Sequence, residues 1–125
     1  MLEKAKAPAL QFRIKLLGIK PPIWRRILVP GNYSFWDLHT AIQDAMGWTD
    51  THLHGFRCLM HHGTMSGRNK MTYIGVPSDE DVEKVMPDWS FPLRLFFKEA
   101  GQKARYFYDF GDGWEHEVLL EKLVE

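Results

Sequence analysis

The chain has 125 residues, no net charge at pH 7, 45% apolar and 14% aromatic residues, and one cysteine, Cys58. That length suits a single domain with one core, the apolar content excludes a disordered chain, and a lone cysteine excludes an internal disulfide or a cysteine-based zinc ribbon. No apolar run approaches the ~20 residues of a membrane span and no signal-peptide core is present, so a cytoplasmic protein with no membrane partner is expected.

Residues 1–9 read as a flexible or edge arm. Leu10, Phe12, Ile14 and Leu16 then alternate with Gln11, Arg13 and Lys15, the period of a half-buried strand. Gly18 to Pro22 interrupt it, and Ile23–Val29 resumes strand character before Pro30-Gly31, which predicts an antiparallel hairpin. Ser34 and Asp37 have capping-box spacing, Phe35, Leu38, Ile42, Ala45 and Met46 recur at helical spacing, and Gly47 supplies a stop. His39 lies beside that stripe and reads as a packed or capping histidine.

A third strand follows, with His54, Phe56, Cys58 and Met60 on one face; Cys58 there is an inert core thiol. His61–Lys70 reads as a polar loop, in which Arg68-Asn69 stand where a phosphate loop needs Lys and then Ser or Thr. Asp79, Glu80, Asp81 and Glu83 form a solvated acidic patch, with a short helix expected after Ser78. Leu93–Phe97 reads as a strand, and Gly101-Gln-Lys turns into a hairpin of Ala104–Phe110 and Trp114–Leu123. The order predicts an α+β fold spanning residues 1–125 as one domain: a mostly antiparallel sheet with one main helix packed across it, in a β-grasp-like roll.

Tyr106–His116 places five aromatic rings, two aspartates, a glutamate, a histidine and two glycines in eleven residues. Aromatic and polar residues flanking Gly-Asp-Gly predict a hairpin. Its expected role is to border an aromatic-lined pocket together with the His52–His54 strand, presenting Tyr108, Asp109, Asp112, Trp114, His116, His52 and His54 to a small ligand or a protein partner. His52, His54, His116 and Asp109 are the candidate ligands for a divalent zinc, iron or manganese ion. No HExxH is present, and Gly111 and Gly113 stand where a calcium loop needs oxygen ligands. With Asp109 or Asp112 orienting His116, the same residues suit the acid–base work of a small metal-dependent hydrolase. Turn chemistry by itself also accounts for Gly111, Gly113 and Asp112. Asp109-Phe110-Gly111 matches a three-letter kinase signature, but the other parts of that machinery are missing.

Nucleic acid is the alternative partner. The first 30 residues carry seven Lys and Arg against Glu3 alone, and Arg13, Trp24, Arg25 and Arg26 on the N-terminal hairpin have the composition for phosphate contacts and base stacking. Neutral overall charge and the strand-like alternation after Thr51 weigh against that reading.

Pro21-Pro-Ile-Trp-Arg-Arg-Ile-Leu-Val-Pro30, Leu38-His39, Ile42-Gln43, Ala45-Met46-Gly47-Trp48, His52-Leu-His54-Gly-Phe56 and Tyr106–His116 occur in order. Over roughly residues 10–123 the chain resembles the plasmid pRiA4b ORF-3-like protein family. The resemblance implies a small α+β domain of undefined biochemical role, in a family with some members labelled as transposon passengers. It further implies a Cys-, Pro- and Gly-containing tail in longer relatives beyond the position of Glu121, so that a site completed by such a tail would be partial here.

Overall fold

The structure, a computed structural model, describes residues 8–61 and 69–125. Among the described residues seven strands form one sheet: β1 (Ala9–Leu16), β2 (Ile23–Val29), β3 (His54–His61), β4 (Asn69–Gly75), β5 (Val85–Pro87), β6 (Lys103–Tyr108) and β7 (Trp114–Val124). Their spatial order is β2-β1-β7-β6-β3-β4-β5, and every pairing is antiparallel except β4 with β5. The alternation read in β1 is the observed burial: Leu10, Phe12, Ile14 and Leu16 are buried, and the residues between them are partly exposed.

Helix α1 (Phe35–Met46) starts where its N-terminal amides find side-chain acceptors. Ser34 Oγ accepts the Asp37 amide at 3.2 Å, and the Asp37 carboxylate accepts the Ser34 amide at 2.9 Å. Gly47 ends it at φ 76°, a left-handed conformation that only glycine adopts at little steric cost. Phe35, Leu38 and Ile42 face the sheet and join Phe12, Phe56, Phe97 and Leu93 in one core. Phe35 meets Phe56 edge-on at 5.0 Å, and Phe12 meets Phe97 edge-on at 4.8 Å.

Leu93–Phe97 is not a strand. Leu93–Leu95 forms a 3₁₀ turn after Pro92, and Leu93 O accepts the amides of Phe96 at 3.1 Å and Phe97 at 2.8 Å. The buried residues Leu93, Phe96 and Phe97 are spaced three and four apart, a helical spacing that a five-residue apolar run disguises. No helix follows Ser78: Ser78 N donates to Asp81 Oδ2 at 2.7 Å and Asp81 N to Ser78 O at 3.2 Å, which closes a single turn. The acidic residues there are exposed.

The polar loop expected over residues 61–70 is shorter, because His61 ends β3 and Asn69 and Lys70 open β4; residues 62–68 lie outside the described residues, as do 1–7 of the expected arm. Ala9 already belongs to β1. The β-grasp likeness also needs correction, since such a roll joins its first and last strands in parallel, whereas β1 and β7 are antiparallel. The tight β6–β7 hairpin and the antiparallel β3–β6 pair give β7 the direction of β3, which opposes β1. Among the described residues no helix is long and apolar enough to cross a membrane.

Candidate functional site

The β6–β7 hairpin forms as expected, but its tip is built from main-chain bonds. Asp109 has φ 60°, a left-handed conformation that Asp tolerates better than most residues. Its Oδ1 accepts the amides of Gly111 at 3.2 Å and Asp112 at 3.3 Å, while its own amide donates to Leu53 O at 2.8 Å. Asp109 thus braces the turn and fastens it to the approach to β3. Asp112 points to solvent, and His52 Nε2 lies 3.6 Å from Asp109 Oδ2 on the surface. The Tyr108 hydroxyl accepts the Thr51 amide at 2.9 Å. Trp114 is half-buried, 5.7 Å from the Trp48 ring.

His116 is wholly buried, with both nitrogens engaged. Nδ1–H donates to Tyr106 O at 3.1 Å, and Nε2 accepts the Trp48 indole N–H at 3.2 Å, which fixes the neutral tautomer. Burial holds its pKa below the ordinary histidine value. His52, His54, His116 and Asp109 therefore do not share one metal site. β3 begins only at His54, so His52, in the bend before it, does not follow the strand alternation and lies beside Asp109 instead. Cys58 is buried, and burial pushes its thiol well above the ordinary range, so it is no nucleophile.

A second group of polar residues lies between α1 and the sheet. His39 and Gln43, one helical turn apart, both face inward. The His39 ring stacks on His54 with centroids 3.4 Å apart and planes 9° apart, and Trp36 flanks the stack. His39 Nδ1 is 2.6 Å from the Tyr106 hydroxyl, which also accepts the Gln43 amide at 2.9 Å. His39 Nε2 contacts Asp50 Oδ1 at 2.9 Å, and His54 Nε2 contacts Asp88 Oδ2 at 2.6 Å. Asp50 has φ 53°, and its amide donates to Gln43 Oε1 at 2.7 Å, so the helix itself holds the loop that carries it.

Burial, reinforced by the neighbouring His54, lowers the His39 pKa. Burial likewise raises the Tyr106 phenol above its usual range. Asp88 is fully buried, and its Oδ1 has no hydrogen-bond partner among the described residues. Sheet register brings it here: Gly55 pairs with Gly75 and Gly75 with Pro87, so His54 and Asp88 leave the sheet at the same end. Of this group only His54 was expected at a site. The available signal was the pair His39 and Gln43 on an apolar stripe, because buried polar side chains require partners.

The opposite face of β3, β4 and β6 carries a groove of about 620 Å³. Cross-strand pairs Gly55–Phe107, Gly55–Gly75 and Arg57–Tyr73 put these residues on one face, which alternation separates from His54 and Phe56. Two glycines leave the floor without side chains, and Phe110 closes one end over Gly55. The Arg57 guanidinium lies 4.7 Å from the Phe107 centroid and 5.8 Å from that of Tyr73. Of the residues expected at the pocket only His54 borders this groove; Tyr108, Asp109, Asp112, Trp114, His116 and His52 do not.

On the N-terminal hairpin Trp24 is exposed, with Arg26 5.3 Å from its ring. Arg26 makes a forked pair with Glu121 at 2.7 and 3.1 Å, which holds that carboxyl down to about 2. Arg13 lies 4.0 Å from Glu117, and Arg25 donates to the Trp24 carbonyl at 2.8 Å. Acids of β7 thus neutralise part of the basic excess.

The sequence model of the plasmid pRiA4b ORF-3-like protein family matches residues 8–125. The uncharacterized protein y4hQ of Sinorhizobium fredii is 31% identical over 117 residues, covering 93% of this chain and 55% of that protein. The crystal structure of a protein of unknown function, MM3350, from Methanosarcina mazei Go1 superposes with a TM-score of 0.78 at 36% identity, covering 96% of this chain and 62% of that one. The chain thus spans less than two thirds of the length of either relative.

Proposed function

The chain belongs to the plasmid pRiA4b ORF-3-like protein family, and on that premise we propose that it is a binding module whose ligand lies in the groove over β3, β4 and β6. The observation that carries this reading is Arg57 held between Phe107 and Tyr73 above a floor of glycines. Among the described residues Arg57 has no carboxylate partner. The lining of this concave, mostly apolar site sets Arg57 against Glu80, Asp81 and Glu83, which suits a flat apolar body bearing an anionic group for Arg57 and a hydrogen-bond donor for the carboxylates. The volume is in the range of small-molecule sites, about 300–1,000 Å³. The reading keeps the hairpin and β3 as the borders of the pocket and assigns recognition to Arg57, Phe107 and Tyr73 instead of the hairpin carboxylates.

The test is amide chemical-shift mapping with 2-naphthoate as probe. Saturable shifts are expected at Gly55, Arg57, Gly75 and Phe107. Arg57→Ala should weaken binding about tenfold, or about 1.4 kcal/mol, and Gly55→Val should obstruct the floor. No saturable shift, or shifts confined to other surfaces, would remove the groove as the site.

A further inference from the structure

Four metal-ligating side chains converge beneath α1 from a helix, a loop, a strand and a 3₁₀ turn: His39, Asp50, His54 and Asp88. One ligand atom each of His39, Asp50 and His54 fall within 4.8 Å of one another, and Asp88 joins this set through its contact with His54. Ligands of a tetrahedral ion lie ~3.3 Å apart when their bonds are ~2.0–2.1 Å, and the near-parallel planes of the His39–His54 stack cannot both contain one ion, so closing this set requires one imidazole to turn out of the stack. Asp88 adds an independent observation, for it is fully buried and one of its carboxylate oxygens meets no donor among the described residues. Buried carboxylate oxygens are ordinarily paired, and an orphan next to two imidazoles lacks a cation or a donor.

The geometry points to a divalent transition-metal site that takes zinc or a comparable ion through Nε2 of His39, Nε2 of His54 and the carboxylates of Asp50 and Asp88. Each carboxylate already approaches the Nε2 atom it would share with the metal, at 2.9 and 2.6 Å. With each imidazole neutral and its proton on Nδ1, one dication balances the two carboxylates. Imidazole with carboxylate suits zinc, iron or manganese.

The surroundings meet the needs of a ligand histidine. For Nε2 to bind, His39 carries its proton on Nδ1, and the Tyr106 hydroxyl oxygen 2.6 Å away has lone pairs for that proton and for the Gln43 amide. Gln43 Oε1 meanwhile holds the Asp50 amide. The Asp50 side chain is 43% exposed and gives an entry path for the ion. His54 borders the groove, but strand alternation puts its side chain on the other face of the sheet, so the two sites can be tested apart.

The test uses the full chain, stripped with a chelator and titrated with cobalt(II), whose visible bands report inner-sphere ligands, and then with zinc. One ion per folded chain is expected. Asp50→Asn alters an accessible loop residue and keeps its carbonyl, so it should fold as wild type by circular dichroism while binding at least ~10-fold more weakly. Asp88→Asn should weaken binding to a similar degree. Absence of saturable uptake by the folded wild type overturns the site, as does one-to-one uptake unchanged in both Asn variants. Uptake lost with His52→Ala but kept in Asp50→Asn relocates the ion to the hairpin surface and overturns it equally.

Discussion

Beneath α1, Asp50 and Asp88 direct their carboxylates at imidazoles, whereas at the β6–β7 tip Asp109 directs its own at the main-chain amides of Gly111 and Asp112. Both regions contain aspartate, histidine and aromatic rings. They differ in access to water. At the tip, solvent can replace any hydrogen bond, so the side chain does the work of a turn. Under the helix Asp50 still reaches solvent, but around the buried His39, His54 and Asp88 no such replacement exists, so a polar atom there must meet another side chain or, like Asp88 Oδ1 among the described residues, remain unpaired. Composition alone makes the two alike, and burial separates bracing from binding chemistry.

The comparison is broken most directly at His54. His54→Ala removes the imidazole from a fully buried carboxylate, and loss of one partner of a buried pair should cost about 3–5 kcal/mol in urea unfolding. Loss below 1 kcal/mol would place the pair with ordinary surface contacts.

Acid provides the second probe. The folded-state pKa values of His39 and His116 are depressed by burial, so the unfolded chain binds more protons below the ordinary histidine value near ~6.5. Their contribution to stability is complete above that pH and is lost as pH falls toward the folded values. The melting temperature should therefore decline from about pH 6.5 downward. His116→Asn should flatten that decline; an unchanged pH profile would show that the His116 imidazole does not titrate differently on folding.

The smallest effect is expected at the tip. Asp109→Asn retains an oxygen for the amides of Gly111 and Asp112 and tolerates the left-handed backbone, so it should cost less than ~1 kcal/mol. A loss comparable to that of His54→Ala would show that charge at Asp109 matters beyond the turn.

What could be read beforehand was what local patterns encode. Alternation in Leu10–Leu16 located a strand, Gly-Asp-Gly located the last hairpin, and Ser34, Asp37 and Gly47 bounded the helix, because caps, turns and half-buried faces act within a few residues. Leu93–Phe97 escaped for lack of length, and the three-residue β5 is too short to show a period. The buried cluster escaped for a different reason. Asp88 lies far from His39, Asp50 and His54 in sequence and meets them only through the β3–β4–β5 register, while the nearer three come together through the left-handed turn at Asp50. The density of Asp, Gly and aromatic residues in Tyr106–His116 drew attention to the tip, where much of that density serves turn geometry.

The open sheet also bears on self-association. Its outer strands, β2 and β5, could in principle template another strand from a neighbouring molecule. β5 has only three residues and ends in Pro87, which has no amide hydrogen to offer. β2 is longer, but it is bounded by Pro22 and Pro30 and carries Arg25 and Arg26 side by side. Arg26 is paired with Glu121, and an incoming copy centred on Arg25 would set that charge against its own copy. Short length and proline on one side, and positive charge between prolines on the other, disfavour edge-to-edge polymerisation of a sheet left unclosed.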